Sequence, residues 1–188
     1  MTNPNLRTKQ NRIFMLVHNA LFIVVALILG FVGRNISIFP VLPFLKVDLS
    51  DIPVFISTLI FGTGSGLTVL FVVNLLRTLF FSNIGLVGFT LRIVSAIMVI
   101  FLGYFCKENA KLSRKILGLF LGVITYTIFI TILNYFFYLN FLAYSQKMIA
   151  IVLLPITVPF NIVKLLVITL VAMTLVKPIQ KLWHRNIT

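Results

Sequence analysis

The sequence predicts an all-α integral membrane protein of six transmembrane helices. Sixty per cent of its residues (60%) are apolar, and the mean hydropathy is +1.13, more than a soluble domain of 188 residues can hide from water. Apolar runs near the roughly 20 residues that a helix needs to cross a bilayer recur along the whole chain. The cationic residues fall in the connections between these runs. They set the orientation. No stretch is left over for a soluble unit, so residues 1–188 form a single membrane domain, with 1–12 and 177–188 as cytoplasmic tails.

The first run, Ile13 to Gly33, is flanked by Arg12 and Arg34 and is itself of spanning length, which makes it a retained helix and not a cleaved signal. Asp51 to Phe61 is the second, and its eleven residues cover only about 17 Å. A helix that short cannot cross alone. The preceding loop, Arg34 to Ser50, therefore dips toward the membrane in a re-entrant-like manner, kept extended by Pro40 and Pro43 and supported by protein. The uncharged turn FGTGSG leads into the third run, Leu67 to Phe81, which is followed by Leu86 to Phe105 and Ile116 to Leu139. The sixth lies within Met148 to Val176, too long for one span. Pro155 and Pro159 divide it into an outer part, Met148 to Ile156, and a crossing that begins near Pro159.

Six spans put both ends on one side. Arg7, Lys9 and Arg12, then Lys107, Lys111, Arg114 and Lys115, then Lys177, Lys181 and Arg185 all fall there, whereas the other side receives Arg34, Lys46 and Lys147. The excess makes the termini cytoplasmic. It also accounts for most of the net charge of +13 without nucleic acid. Ten cations on one side and three on the other leave Arg77, Arg92 and Lys164 of the sixteen, all within or near the membrane.

Catalysis has little to work with. There are three carboxylates and two histidines, and His18 and His184 lie near the cytoplasmic side, with no spacing that suits a metal or a nucleophile triad. The single cysteine, Cys106, excludes an intrachain disulfide. The GTGSG turn lacks the lysine of a phosphate-binding loop and joins two helices, so the chain has no means of hydrolysing ATP.

Binding has more. A lysine well inside a membrane helix costs on the order of 2.5–3.5 kcal/mol on insertion scales, and such residues face a pocket or a partner. Asn161 precedes Lys164 by three residues and shares its helical face, while Asn134 lies in the apolar run TILNYFFYL of the fifth helix. Three polar side chains from two helices can meet at one depth. They can equally bond one another and hold the helices together. For Arg77 and Arg92 the structural reading leads, with Asp48 or Asp51 as partners. Ser50, Asp48 and Asp51 suit the cap of the second helix. Phe136, Phe137, Tyr138, Phe141 and Tyr144 form an interfacial aromatic group that also suits a slot around a flat ring. Gly118 and Gly122 are spaced for close helix contact.

PFLKVDLSDIP (Pro43 to Pro53), FGTGSG, NLL (Asn74 to Leu76), Asn134 and PFNIVK (Pro159 to Lys164) together resemble the riboflavin-specific substrate-binding subunits, or S components, of the energy-coupling factor (ECF) vitamin transporters. The resemblance covers essentially the whole chain. It implies a multi-pass protein of a bacterial cell membrane that captures riboflavin near its extracellular face. The vitamin is then delivered with a separate transmembrane coupling protein and two ATPase subunits. Riboflavin is the transported ligand and not a cofactor, and no enzymatic activity is implied. The site is then Lys164, Asn161, Asn134, Phe44, Leu45, Lys46, Asp48 and Tyr138: flat apolar walls for the ring, amides for its pyrimidine edge, and an ammonium for ring oxygens or ribityl hydroxyls. Flavin mononucleotide is accepted if Lys46 or another outer cation reaches its phosphate. The family's alanine-xxx-alanine docking pattern on the first helix departs here to Ala20 and Val24. The alternatives are an S component for another vitamin and a structural membrane subunit whose polar residues only hold partners.

Overall fold

A computed structural model describes residues 4–34, 48–81, 85–107, 110–140 and 146–187, and among these the regular structure is entirely helical. The elements are α1 (Pro4–Arg34), α2 (Asp51–Phe61), α3 (Thr63–Phe81), α4 (Gly85–Ile93), α5 (Ser95–Phe105), α6 (Leu112–Asn140), the short α7 (Gln146–Met148) and α8 (Leu154–Ile187), with a π-helical turn at Ile149–Leu153 before the last. Five stretches are long and apolar enough to cross a membrane: Ile13–Gly33, Thr63–Phe80, Gly85–Phe105, Leu112–Asn140 and Leu154–Lys181. At 11 residues, α2 is not, although it is apolar.

That short helix is the centre of the bundle. Its residues from Pro53 to Thr58 are buried, and it packs against α1, α3, α5 and α8, while α5 also packs on α3 and α6, and α6 on α8. The outward faces stay apolar: Leu16, Ile28 and Phe31 of α1 and Phe120, Ile124 and Ile128 of α6 are all more than half exposed. Only a hydrocarbon solvent makes such faces economical.

Local chemistry explains how the elements begin and end. Gly62 closes α2 with φ +91°, a conformation that side chains resist, and its N–H still donates to the Thr58 carbonyl at 2.9 Å. The chain re-enters a helix at once, so α3 starts at Thr63 and not at Leu67 as its apolar run suggests. Thr68 Oγ1 donates to the Gly64 carbonyl at 2.9 Å in that first turn. The run from Leu86 to Phe105 is interrupted at Val94, where the Ile97 N–H reaches back only three residues. Gly118 and Gly122 bring α6 against α5 as their spacing implies: a Cβ at Gly118 would overlap Phe105, and one at Gly122 would lie 2.7 Å from Met98 Sδ.

Two expectations about boundaries are corrected. The crossing expected from Pro159 begins earlier, because α8 is continuous from Leu154 and carries Pro159 inside it. Pro159 removes one backbone donor, a loss that membrane helices tolerate. Ser50 occupies the cap position of α2 but makes no capping bond with its side chain. Asp48 and Arg77 engage that hydroxyl instead.

Candidate ligand site

Polar side chains gather at the end of the bundle where α2 begins. Asp48, just before α2, is held by three groups. Its carboxylate accepts from Arg77 Nη1 at 2.9 and 2.7 Å, from the Ser50 amide at 3.1 Å and from the Ser50 hydroxyl. Arg77 Nη1 also donates to Ser50 Oγ at 2.6 Å. The ion pair is largely enclosed, with side-chain exposures of 7% for Arg77 and 20% for Asp48. Room for the guanidinium comes from α1, where a Cβ on Gly30 would lie 3.0 Å from Arg77 Cζ. Burial by itself raises the Asp48 carboxyl, but Arg77, the Ser50 hydroxyl and the field of Lys164 outweigh it and hold the group below the ordinary carboxylate value.

Asp51 opens α2 and is buried, accepting from Ser95 Oγ at 3.2 Å. The break at Val94 serves this bond, because Ser95 is the first residue of α5. Lys164 of α8, half-buried, lies within electrostatic reach of Asp51, Asp48 and Arg77 and beside the Tyr126 hydroxyl of α6. Two carboxylates and two cations make this cluster neutral overall. Neutrality lowers the cost of keeping Lys164 in the membrane, and an ammonium has three donors to share among acceptors.

The two asparagines lie at one level. Tyr138 of α6 and Thr157 of α8 meet hydroxyl to hydroxyl at 3.1 Å. The two helices run antiparallel, so four residues back from Tyr138 and four forward from Thr157 give Asn134 and Asn161 at the same depth, with Lys164 about one turn deeper. Asn161 is 6% exposed and Asn134 half-buried. Arg92 of α4, grouped with the structural cations from sequence, reaches Thr78 Oγ1 of α3 at 3.3 Å.

Tyr138 is 2% exposed and packs with Ile149 and Leu153, so its ring fills the α6–α8 contact. Phe44, Leu45 and Lys46 lie outside the described residues, as do Phe141 and Tyr144. Ala20 and Val24 are both exposed on α1. Tyr126 and Ser95 were not singled out from sequence. Tyr126 stands two helical turns before Asn134 and about one face away, a signal that its aromatic neighbours mask. Ser95 gives no sequence signal, because its role depends on the helix break.

Residues 14–176 match the family described as "ECF transporter, substrate-specific component". The riboflavin transporter RibU of Staphylococcus aureus (strain TCH60) is 29% identical over 187 residues, 96% of each chain. That of Streptococcus thermophilus is 32% identical over 158 residues, 77% of this chain and 74% of the relative. The riboflavin transporter FmnP of Bacillus subtilis (strain 168) is 29% identical over 144 residues, 71% of this chain and 76% of the relative. A solved structure described as "Structure and mechanism of the S component of a bacterial ECF transporter" superposes with a TM-score of 0.75 at 28% identity, covering 93% of this chain and 98% of that one. On the match of residues 14–176 the chain belongs to the substrate-specific components of ECF transporters.

Proposed function

We propose that this chain is the riboflavin-capturing subunit of a vitamin uptake system in a bacterial cell membrane. The reading is supported by the level that Asn134 and Asn161 share on α6 and α8, with Lys164 about one turn deeper beside Asp48, Asp51 and Arg77, in a chain whose relatives are riboflavin transporters. The two amides present donors and acceptors to the pyrimidine edge of the flavin, and Lys164 donates to ring oxygens or ribityl hydroxyls. The electrical neutrality of Asp48, Asp51, Arg77 and Lys164 suits an uncharged vitamin better than a phosphate ester. Asp48 supports the site from behind, as the anchor of Arg77. We assign Phe44 and Leu45, from the connection between α1 and α2, to the apolar wall of the ring, and Lys46 to a phosphate where flavin mononucleotide is the ligand.

In this reading α2 and the connection before it complete a sixth crossing, and the excess of Lys and Arg beside Leu112 and Val176 puts both termini in the cytoplasm. The site then opens outward. The chain carries out no chemistry on its cargo. A transmembrane coupling protein with two ATPases supplies the energy, docking on the cytoplasmic half that includes Ala20 and Val24.

Purified protein tests this directly. It is expected to retain a yellow, fluorescent ligand at about one per chain, and added riboflavin is expected to raise the unfolding temperature. Lys164→Met is expected to weaken binding about 10- to 100-fold, the value of one to two charge-assisted bonds. A colourless protein whose unfolding temperature ignores riboflavin would sink the proposal. Flavin mononucleotide in the same assay is expected to bind more weakly.

A further inference from the structure

A second surface is built for a different molecule. Between α6 and α8, on the bilayer side, a groove of about 370 Å³ is lined by Phe120, Val123, Ile124, Thr127, Ile162 and Leu166, with Ile128 at its rim. The hydroxyl of Thr127 is turned away into its own helix, donating to the Val123 carbonyl at 2.7 Å. The groove therefore has no hydrogen bond to offer. A polar ligand or a peptide backbone has no reason to enter it.

Two kinds of occupant remain in a membrane, another helix or a lipid chain. Helices pack together in bilayers through small residues that let backbones approach. This wall has one, Thr127, set among Phe, Val, Ile and Leu, and the glycines of α6, Gly118 and Gly122, are turned to the opposite contact, against Phe105 and Met98 of α5. A flexible chain can fill an uneven channel between branched side chains where a rigid helix cannot. The charges point the same way. Lys177 follows Leu166 by three helical turns on the same face, about 16 Å further along α8, and both Lys177 and Lys181 are exposed there. An acyl chain has that reach, which sets its headgroup beside the two lysines.

We propose that this groove holds one acyl chain of an anionic phospholipid from the leaflet at the Lys177 end, with its phosphate between Lys177 and Lys181. The lipid is separate from the cargo site. Its place is on the outside of the α6–α8 contact whose inner side carries Tyr126 and Lys164. Each lysine adds about tenfold or less to retention of an anionic headgroup.

Native mass spectrometry of the full chain in mild detergent tests this with phosphatidylglycerol and phosphatidylcholine as probes. The intact protein is expected to retain one phosphatidylglycerol in preference to phosphatidylcholine. Lys177→Ala with Lys181→Ala is expected to lower that retention roughly tenfold or more. Ile124→Trp fills the groove and is expected to abolish the adduct. Ile124 is bilayer-facing, so the variant is expected to fold, checked by its helical circular dichroism; if it fails to fold, Ile128→Phe takes its place. Equal retention of both lipids, an adduct that survives filling of the groove, or a dimer that Ile124→Trp breaks would each overturn the proposal, the last in favour of a second copy.

Discussion

Two polar clusters inside the same bundle are built on different rules. At the α2 start, Asp48, Asp51, Arg77 and Lys164 are charged, with Asp51 and Arg77 buried and Asp48 and Lys164 half-buried, and they draw on α2, α3, α8 and the segment before α2. At the other end, Asn19 of α1 accepts from Ser57 of α2 at 3.2 Å and from Ser65 of α3, whose hydroxyls also meet each other at 2.8 Å. All three of those residues are neutral and buried. The neutral cluster is closed upon itself. It ties α1, α2 and α3 into one unit and leaves little for a ligand to take. The charged cluster instead places strong donors and acceptors where a neighbour of the right shape can compete for them. Polarity within a membrane is thus no guide to function until one asks whether its bonding capacity is already used up.

Breaking the charged cluster is expected to have the largest effect. Asp48→Ala leaves Arg77 buried without its anion, at a cost of about 3 kcal/mol in thermal unfolding. Adding Arg77→Met should restore much of it. If the single variant is as stable as the parent, the pair is not a structural anchor.

Asn19→Ala at the neutral cluster is expected to cost about 1–3 kcal/mol. The two serines keep their mutual bond, and riboflavin affinity, normalised to folded protein, should not move. A selective loss of affinity would erase the distinction between the clusters.

Acid should separate the two further. The Asp48 carboxyl is held below its ordinary value of 3.8 in the folded state, so its contribution is fully present above that value and is lost as pH falls through the lower folded one. Unfolding followed from pH 6 to pH 2 is expected to show a decline in the parent that Asp48→Asn flattens. The Asn19 variant should follow the parent's slope.

The smallest effect belongs to the surface. Val24 is 55% exposed, and Val24→Ala should change stability by less than about 0.5 kcal/mol. Any change it makes should appear in coupled uptake and leave cargo binding alone, whereas a large loss of stability would assign Val24 to packing.

Much of this organisation is legible in the sequence, for reasons that differ by residue. Apolar runs of spanning length fix helices because backbone in lipid has few alternatives, and the Gly62 turn is visible because few residues tolerate its conformation. Lys164 stands out because its cost is high in any membrane helix. The structure adds relations that no local pattern encodes. The break at Val94 aims Ser95 at Asp51, and the Tyr138–Thr157 contact sets the level of Asn134 against Asn161. Pro159 misleads, because a proline that starts helices in water can lie inside a membrane helix. The Arg77–Asp48 pair was one of several pairings open from sequence, and distance alone selects it.

The length of α2 acts as a ruler. Eleven residues rise about 17 Å, against a hydrocarbon thickness of about 30 Å, so this central helix reaches only about half-way through the slab. Asp51 is therefore a floor, and the depth above it is volume that no segment of α2 occupies. If the chain captures a flavin as proposed, cargo size is written in a count of residues: one more turn would raise the floor by about 5.4 Å and evict a flat ring without altering any side chain proposed to touch it.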